Sequence, residues 1–397
     1  MHKRTLDALG GAPLEGLRAL VRVDFNVPLE GSEVTDDTRI RAVLPTLRWL
    51  RGHGARIILL SHLGRPKGKK DPAFTLRPVV AVLETHLGVP VTFLDDPRSE
   101  DALKTSRRLK RGEVAMVENT RFWPGEEAND AAFAKSLAAL GDLYINDAFG
   151  SAHRAHASTE GVARHLRPAV AGFLMAKELE YLGGALATPA RPFLAVIGGA
   201  KISGKIDVLE ALLPRVDGIL VGGAMACTFF LAMGLEVGTS LVEPDRVDLA
   251  RALLTRGADK LVLPDGATIA QTLETGAPAR DVKRDAIEPG WAMYDIDAVT
   301  QEHFAARIRE AKTVVWNGPM GVFEKPPFDK GTIAVARAMA DATQNGATTI
   351  VGGGDSAAAV VAAGVEDRVS HVSTGGGATL EFLEGKDLPG VTVLDDA

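Results

Sequence analysis

The 397-residue chain is 46% hydrophobic, 24% charged and 5% aromatic, with a formal charge of −6. That length exceeds one comfortable core and predicts two domains, while so ordinary a composition excludes a disordered, fibrous or disulfide-built chain. No apolar run reaches the length of a membrane span, "MHKRTLDALGGAPL" carries no apolar signal core, and the single cysteine, Cys227, points to a reducing cytoplasm.

Charge is distributed unevenly. Residues 1–175 carry 25 Lys and Arg against 21 Asp and Glu, a balance of +4; residues 176–397 carry 20 against 30, a balance of −10. The asymmetry predicts an anionic partner for the first half. With few aromatics and no basic run interleaved with them, nucleic acid fits poorly and a small acidic metabolite fits better.

In chain order, "ALVRVDF" opens the strand candidates. Its Val21, Val23 and Phe25 alternate with Arg22, Asp24 and Asn26, giving one apolar and one polar face. "ARIILL", "VTFL", "EVAMV" and "DLYIN" follow, then "FLAVIG", "GILVGG", "KLVLP", "TVVWNG" and "TTIVGG" in the second half. Helical patterns such as "FAKSLAAL" and "KIDVLEALLPRV" lie between them. Alternating strands and helices, with strands this apolar, predict parallel sheets covered on both faces, an α/β architecture. The polar face of the first strand is out of place in such a sheet and needs a functional reason. Near 175–190 a helical pattern runs into Gly183-Gly184, Thr188-Pro189 and Arg191-Pro192, which sets a domain boundary there.

Open α/β sheets bind ligands beyond the carboxyl ends of their strands. In the first half those ends carry "DFN", "SHLGRP", "ENTRF" and "NDAFGSAHRAHAS". With Arg22 and Arg39 they make His62, Arg65, Arg121, His153, Arg154 and His156 the cationic candidates, and the arginine fork suits phosphate and carboxylate. In the second half the ends are "GGAKISGK", "GGAMA", "NGPMGVFE", "GGGDS" and "TGGGAT". Glycines let backbone N–H groups approach a phosphate, and a following helix adds its positive end. One such loop alone is an ordinary turn; several together favour a nucleotide. "GAKISGKI" matches G-x-x-x-x-G-K but ends in Ile206, where a phosphate loop needs Ser or Thr for Mg²⁺. That reading fails on chemistry. Lys201 and Lys205 remain as charges four residues apart, on one face if helical, or simply solvated. Asp355 suits either Mg²⁺ on a nucleotide or a helix cap. Glu324 suits a ribose or solvent, and Asn317 and Pro319 shape a turn. No zinc-like Cys/His cluster and no G-x-S-x-G elbow is present.

Nine motifs, "VRVDFNVP", "DDTRI", "SHLGRP", "ENTRF", "FGSAHRAHAS", "GGAKISGK", "WNGPMGVFE", "GGGDSAA" and "STGGGATLEFLEG", resemble the phosphoglycerate kinase family in that order, over essentially the whole chain. The resemblance implies two Rossmann-like three-layer α/β/α domains with mainly parallel sheets, joined by a hinge helix. Residues 1–174 would bind 3-phosphoglycerate or 1,3-bisphosphoglycerate, 175–190 would form the hinge helix and linker, and 191–385 would bind Mg-ATP or Mg-ADP. Residues 386–397 would return to the first domain. The implied activity is reversible, Mg²⁺-dependent phosphoryl transfer by a monomeric cytoplasmic enzyme of glycolysis, with no nucleic-acid or membrane partner.

By the same resemblance, Asp24 and Asn26 hold the substrate's hydroxyl end, which would explain the polar face. His62, Arg65, Arg121 and Arg154 grip its phosphate, and Arg39 meets the reacting carboxyl and the phosphoryl in flight. Lys201 and Lys205 take the nucleotide phosphates, Asp355 the Mg²⁺ and Glu324 the ribose. Gly222, Asn317, Pro319, Gly352, Gly353, Gly354 and Ser356 complete the nucleotide site, and Gly375 and Gly376 offer N–H groups near the transferring phosphoryl. The chain departs from the family pattern at Gly204, where Asp is common, at Met293-Tyr294 and at Thr120. Two other readings compete. A NAD-dependent dehydrogenase needs G-x-G-x-x-G with an acid further on, which neither half supplies. A two-domain anion-binding protein leaves the glycine loops unexplained.

Overall fold

The computed structural model describes residues 2–10 and 14–397. The chain divides into two units, Met1–Glu180 with Asp387–Ala397, and Tyr181–Lys386.

The first unit contains β1 (Arg18–Arg22), a small hairpin of β2 (Leu29–Glu30) and β3 (Glu33–Val34), then β4 (Arg56–Leu60), β5 (Val91–Leu94), β6 (Val114–Val117), β7 (Leu143–Asn146) and β8 (Ala169–Ala171). Apart from the hairpin they form one parallel sheet in the order β5-β6-β4-β1-β7-β8. Its strands are buried on both faces: Leu20 and Val21 of β1 and Ile57 to Leu60 of β4 are wholly inaccessible. The helices Thr38–Gly52 and Arg77–Leu87 cover one face. β1 leaves the sheet at its polar end. The Val23 N–H still reaches the Leu60 carbonyl at 3.0 Å, but the Phe25 N–H turns to the Ser61 hydroxyl at 2.9 Å. Asp24 and Asn26 therefore stand just past the carboxyl end of this central strand.

The second unit holds β9 (Phe193–Ile197), β10 (Gly218–Val221), β11 (Leu261–Val262), β12 (Gly266–Ala270), β13 (Arg280–Lys283), β14 (Ala292–Ile296), β15 (Thr313–Asn317), β16 (Thr348–Gly352) and β17 (His371–Val372). Six of them make a second parallel sheet, β11-β10-β9-β15-β16-β17. β12, β13 and β14 make a separate antiparallel sheet. In each large sheet the first strand is central; in the second the chain builds outward on one side before crossing, while in the first β5 takes the edge and β6 fills the place between β5 and β4 before the crossing. The reversal falls between β1 and β7 and between β9 and β15, where open α/β sheets place ligands.

The ten strand candidates correspond to β1, β4 to β7, β9 to β11, β15 and β16. Of the remaining strands, β2, β3, β8 and β17 are only two or three residues long and β13 ("RDVK") is polar, while β12 ("GATIA") and β14 ("AMYDI") are full-length strands that the sequence reading did not single out. Residues 175–190 hold one correction. The helix Phe173–Ala187 passes through Gly183 and Gly184 without a break and stops only before Pro189. The passage from one unit to the other falls inside it.

Candidate active site

In the first unit the loops after β1, β4, β6 and β7 bring the cationic candidates together. Arg22, the last residue of β1, is 1% exposed. Asp24 is tied to Arg39 at 3.1 Å, and its other oxygen accepts the Asn26 N–H at 3.2 Å. Arg39, in the first turn of the helix Thr38–Gly52, keeps a side chain 38% exposed. Asn26 accepts the Gly64 N–H at 2.8 Å, fixing the loop that carries Arg65, which is exposed. Arg121 lies in the 3-10 turn Thr120–Phe122 and is 3% exposed. Its Nη1 donates to the Gly64 carbonyl at 2.7 Å, and Glu127 stands 3.4 Å from its Nε. Neither Nε nor Nη2 makes a hydrogen bond. Burial and the neighbouring Arg154 lower its pKa to about 10. Two buried, unsatisfied guanidinium donors are costly unless an anion takes them.

The histidines here are kept neutral. Burial first, then Arg22, Arg121, Arg154 and Arg39, hold His62 well below the usual imidazole range. Burial and Arg121 bring His156 to about 3. Burial and Arg154 lower His153, whose Nε2 accepts from the Arg154 Nε at 3.1 Å. Asp24, Asn26, Arg39, His62, Arg121 and Arg154 thus share one electropositive rim, with Arg65 beside it. This is a place for a small polyanion.

In the second unit a cavity of about 400 Å³ opens at the ends of β9, β15 and β16. Its wall includes Lys201, Lys205, Asn317, Pro319, Asp355 and Ser356, with Gly353, Gly354 and Gly376 among the backbone that lines it. Close approach dictates glycine at its floor, because a Cβ on Gly198 would lie 2.1 Å from the Pro319 carbonyl oxygen. Gly353 has φ +91° and opens the helix Gly354–Ala362. That helix points its positive end into the cavity. Ser356 accepts the Gly318 N–H at 2.7 Å and so couples the β15 and β16 loops.

Lys201 and Lys205 do not share a helix face. They flank the 3-10 turn Ile202–Gly204, and Lys205 immediately precedes the helix Ile206–Leu212. Both still line the cavity. Burial pulls the Lys205 pKa down to about 8 against the opposing pull of Asp355. Its Nζ donates to Asn317 Oδ1, which leaves the buried Asn317 Nδ2 without a partner. The turn between the lysines is held from outside: Glu243 accepts the Ser203 N–H at 2.9 Å and the Ser203 hydroxyl. That contact holds the turn that contains Gly204.

Asp355 does not cap its helix. Gly353 holds the cap position, and the Asp355 carboxylate stays exposed at the cavity. Among the described residues no cluster of three or more His, Cys, Asp or Glu could hold a metal alone. One free carboxylate beside a phosphate-sized cavity suits Mg²⁺, which takes one or two carboxylates and completes its shell with phosphate oxygens and water.

Four predicted residues stand apart from the cavity wall. The Gly222 N–H is spent on the Ile197 carbonyl at 3.0 Å, and Gly352 is buried at the end of β16. Glu324 is exposed outside the cavity lining. The Gly375 N–H already donates to the Ser373 hydroxyl at 3.1 Å, so Gly376 is the glycine of that loop at the wall. A larger hollow of about 500 Å³ lies in the first unit around Trp123, Phe133 and Arg98. Its wall mixes Trp123 and Phe133 with Arg98, Asp130 and Ser136, and it contains none of the predicted residues. Sequence reasoning did not foresee Glu126, Ser158 or Glu243, because each acts on a partner distant in the chain, nor Ser373, whose hydroxyl accepts the Gly375 N–H within its own motif.

Two parallel α/β units, an arginine rim on one and a glycine–lysine cavity on the other, define a phosphotransferase-type architecture. A family model described as phosphoglycerate kinase matches residues 9–386. Phosphoglycerate kinase of Chloroflexus aurantiacus (strain ATCC 29366 / DSM 635 / J-10-fl) is 56% identical over 406 residues, covering 100% of both chains. That of Chlorobaculum tepidum is 54% identical over 400 residues, again covering all of both. The solved structure of phosphoglycerate kinase from Coxiella burnetii superposes with TM-score 0.89 at 40% identity, covering 98% of each chain. That from Pyrococcus horikoshii OT3 gives 0.85 at 31% identity, covering 97% of this chain and 98% of that one. The chain belongs to the phosphoglycerate kinase family and is a phosphotransferase. The dehydrogenase reading is set aside.

Proposed function

We propose that the chain reversibly transfers the terminal phosphoryl group of Mg-ATP to the carboxylate of 3-phosphoglycerate, giving 1,3-bisphosphoglycerate and ADP. It does so in glycolysis and gluconeogenesis, as a cytoplasmic monomer. The observation that carries the acceptor assignment is Arg121, whose buried Nε and Nη2 make no hydrogen bond and call for a phosphate or carboxylate. Arg65, Arg154 and His62 complete the phosphate grip, while Asp24 and Asn26 meet the hydroxyl end.

The acceptor is a carboxylate, ionised at neutral pH, so no general base is required. Histidines as depressed as His62 and His156 make poor bases and serve instead as hydrogen-bonding groups. What remains is to position two anions and stabilise the charge that moves between them. Arg39, steered by Asp24, takes the reacting carboxyl; Lys201, Lys205 and the helix beginning at Gly354 take the nucleotide phosphates. Gly222, Glu324, Gly352 and Gly375 support the nucleotide from outside the cavity wall. Asp355 would hold Mg²⁺, which when bound neutralises the phosphate oxygens. The helix Phe173–Ala187, which carries the chain from one unit to the other, is assigned the role of hinge. The test is a coupled assay for ADP formed from Mg-ATP. ADP production that depends on both 3-phosphoglycerate and Mg²⁺ supports the reading, and production independent of 3-phosphoglycerate overturns it.

A further inference from the structure

Behind the arginine rim runs a buried chain of side chains that the phosphoryl-transfer chemistry does not itself require. Glu126 is wholly inaccessible and accepts the Ser158 N–H at 3.0 Å and the Ser158 hydroxyl at 2.5 Å. The Ser158 oxygen, having donated its proton, accepts from Arg22 Nε at 2.8 Å. Arg22 Nη1 donates to the Val23 carbonyl, and Nη2 lies 3.0 Å from His62 Nδ1. Every polar arm of the guanidinium is thus committed, and Glu126 balances its charge through the serine.

The last link has a fixed sense. A guanidinium has donors and no acceptor, so Nδ1 of His62 must offer its lone pair. The imidazole proton then sits on Nε2. Asp24 Oδ1, 3.9 Å from Nδ1, is too far to reverse the arrangement. We propose that Arg22 is a positioning residue for the phosphoryl-transfer site: anchored through Ser158 to Glu126, it locks His62 as the neutral Nε2–H tautomer, so that His62 meets the anionic substrate as a hydrogen-bond donor. The inference rests on the 3-phosphoglycerate reading for what His62 touches, but not for its tautomer. The charged groups acting on the ring agree. Arg22, Arg121, Arg154 and Arg39 oppose a second proton, against Asp24 at 3.9 Å.

Nitrogen NMR of the full-length ¹⁵N-histidine protein tests the tautomer directly. His62 should show an unprotonated Nδ1 and a protonated Nε2, unchanged from about pH 6 to about pH 8.5, a window in which a free imidazole titrates. Arg22→Lys keeps one charge but cannot span both Ser158 and His62, and Ser158→Ala removes the bridge to Glu126. In each, the Nδ1–H tautomer should appear and KM for 3-phosphoglycerate should rise about tenfold, with KM for Mg-ATP changed less than about twofold, the scale of one lost hydrogen bond to a charged group. If Arg22→Lys fails to fold, the parent spectrum and Ser158→Ala still decide. A protonated Nδ1 in the parent overturns the proposal, as does a folded variant with unaltered tautomer and KM. A parent with the expected tautomer but no 3-phosphoglycerate turnover would instead sink the substrate reading.

Discussion

In the proposed mechanism Arg39 is the residue on which the chemistry leans most. It is held by Asp24 yet keeps a partly exposed side chain, so its loss should spare the fold. Arg39→Ala should lower turnover by at least ~100-fold, the scale for one preorganised charge-stabilising donor; steady-state rates with unchanged turnover would defeat that role. Lys205 gives a pH prediction with a definite sign. Its pKa, near 8, lies below the ordinary lysine value, so its charge is complete below that pH and lost as pH rises through it. KM for Mg-ATP should therefore rise above about pH 8, with no matching step for 3-phosphoglycerate, and Lys205→Met should abolish the step. Initial rates across that window check it, and a flat profile in the parent would contradict it. The positions of Arg121, Lys205 and Asp355 after strands, and of Arg39 at the start of a helix, were legible in the sequence, because each follows a short apolar run or sits in a recognisable motif. The partners that tune them were not. Ser158 meets Arg22 from 136 residues away, and no local pattern encodes such a meeting.

At the level of elements, the loops after the central strands are rigid by steric necessity. A Cβ at position 198 would strike a backbone carbonyl, which cannot swing aside as a flexible side chain could. Gly198→Ala should cost several kcal/mol, in the range of severe single substitutions, read from urea unfolding. The start of the helix Phe173–Ala187 holds a titrating group. Asp147, wholly buried, accepts the Met175 N–H at 3.1 Å while its Oδ2 has no partner, and burial raises its pKa to about 7. The folded state then keeps a proton that the unfolded chain has released, so this contribution to stability is present below about pH 4 and lost as pH rises through about 7. Asp147→Asn should remove that part of the slope in urea midpoints measured over the same range; an unchanged slope would exclude it. The large parallel sheets were readable because their strands are continuously apolar. The antiparallel β12–β14 sheet was not, since β13 is polar and exposed, and the glycine pair at 183–184 read as a break although the surrounding helix overrides it.

For the molecule as a whole, the C-terminal segment is structural cement of the first unit. Leu388, Val391 and Leu394 are buried there. The Gly390 carbonyl accepts from Asn146 at 2.7 Å, and Asp395 exchanges hydrogen bonds with Ala169 of β8 at 2.8 and 2.9 Å. Truncation after Lys386 should lower the melting temperature of the first unit by roughly 5 °C or more while leaving ADP affinity within about twofold. Calorimetric scanning and ADP titration of the truncated chain check both halves of that statement. The charge asymmetry between the halves motivates the proposed division of ligands; the exact edge of each unit was not legible, because one continuous helix carries the chain across it. The most direct test of the account is a crossed titration by calorimetry. Arg121→Gln should lose 3-phosphoglycerate binding and keep Mg-ADP binding, and Lys205→Met should show the reverse. If either variant loses both ligands equally while folded, or keeps both, the assignment of one ligand to each unit is wrong.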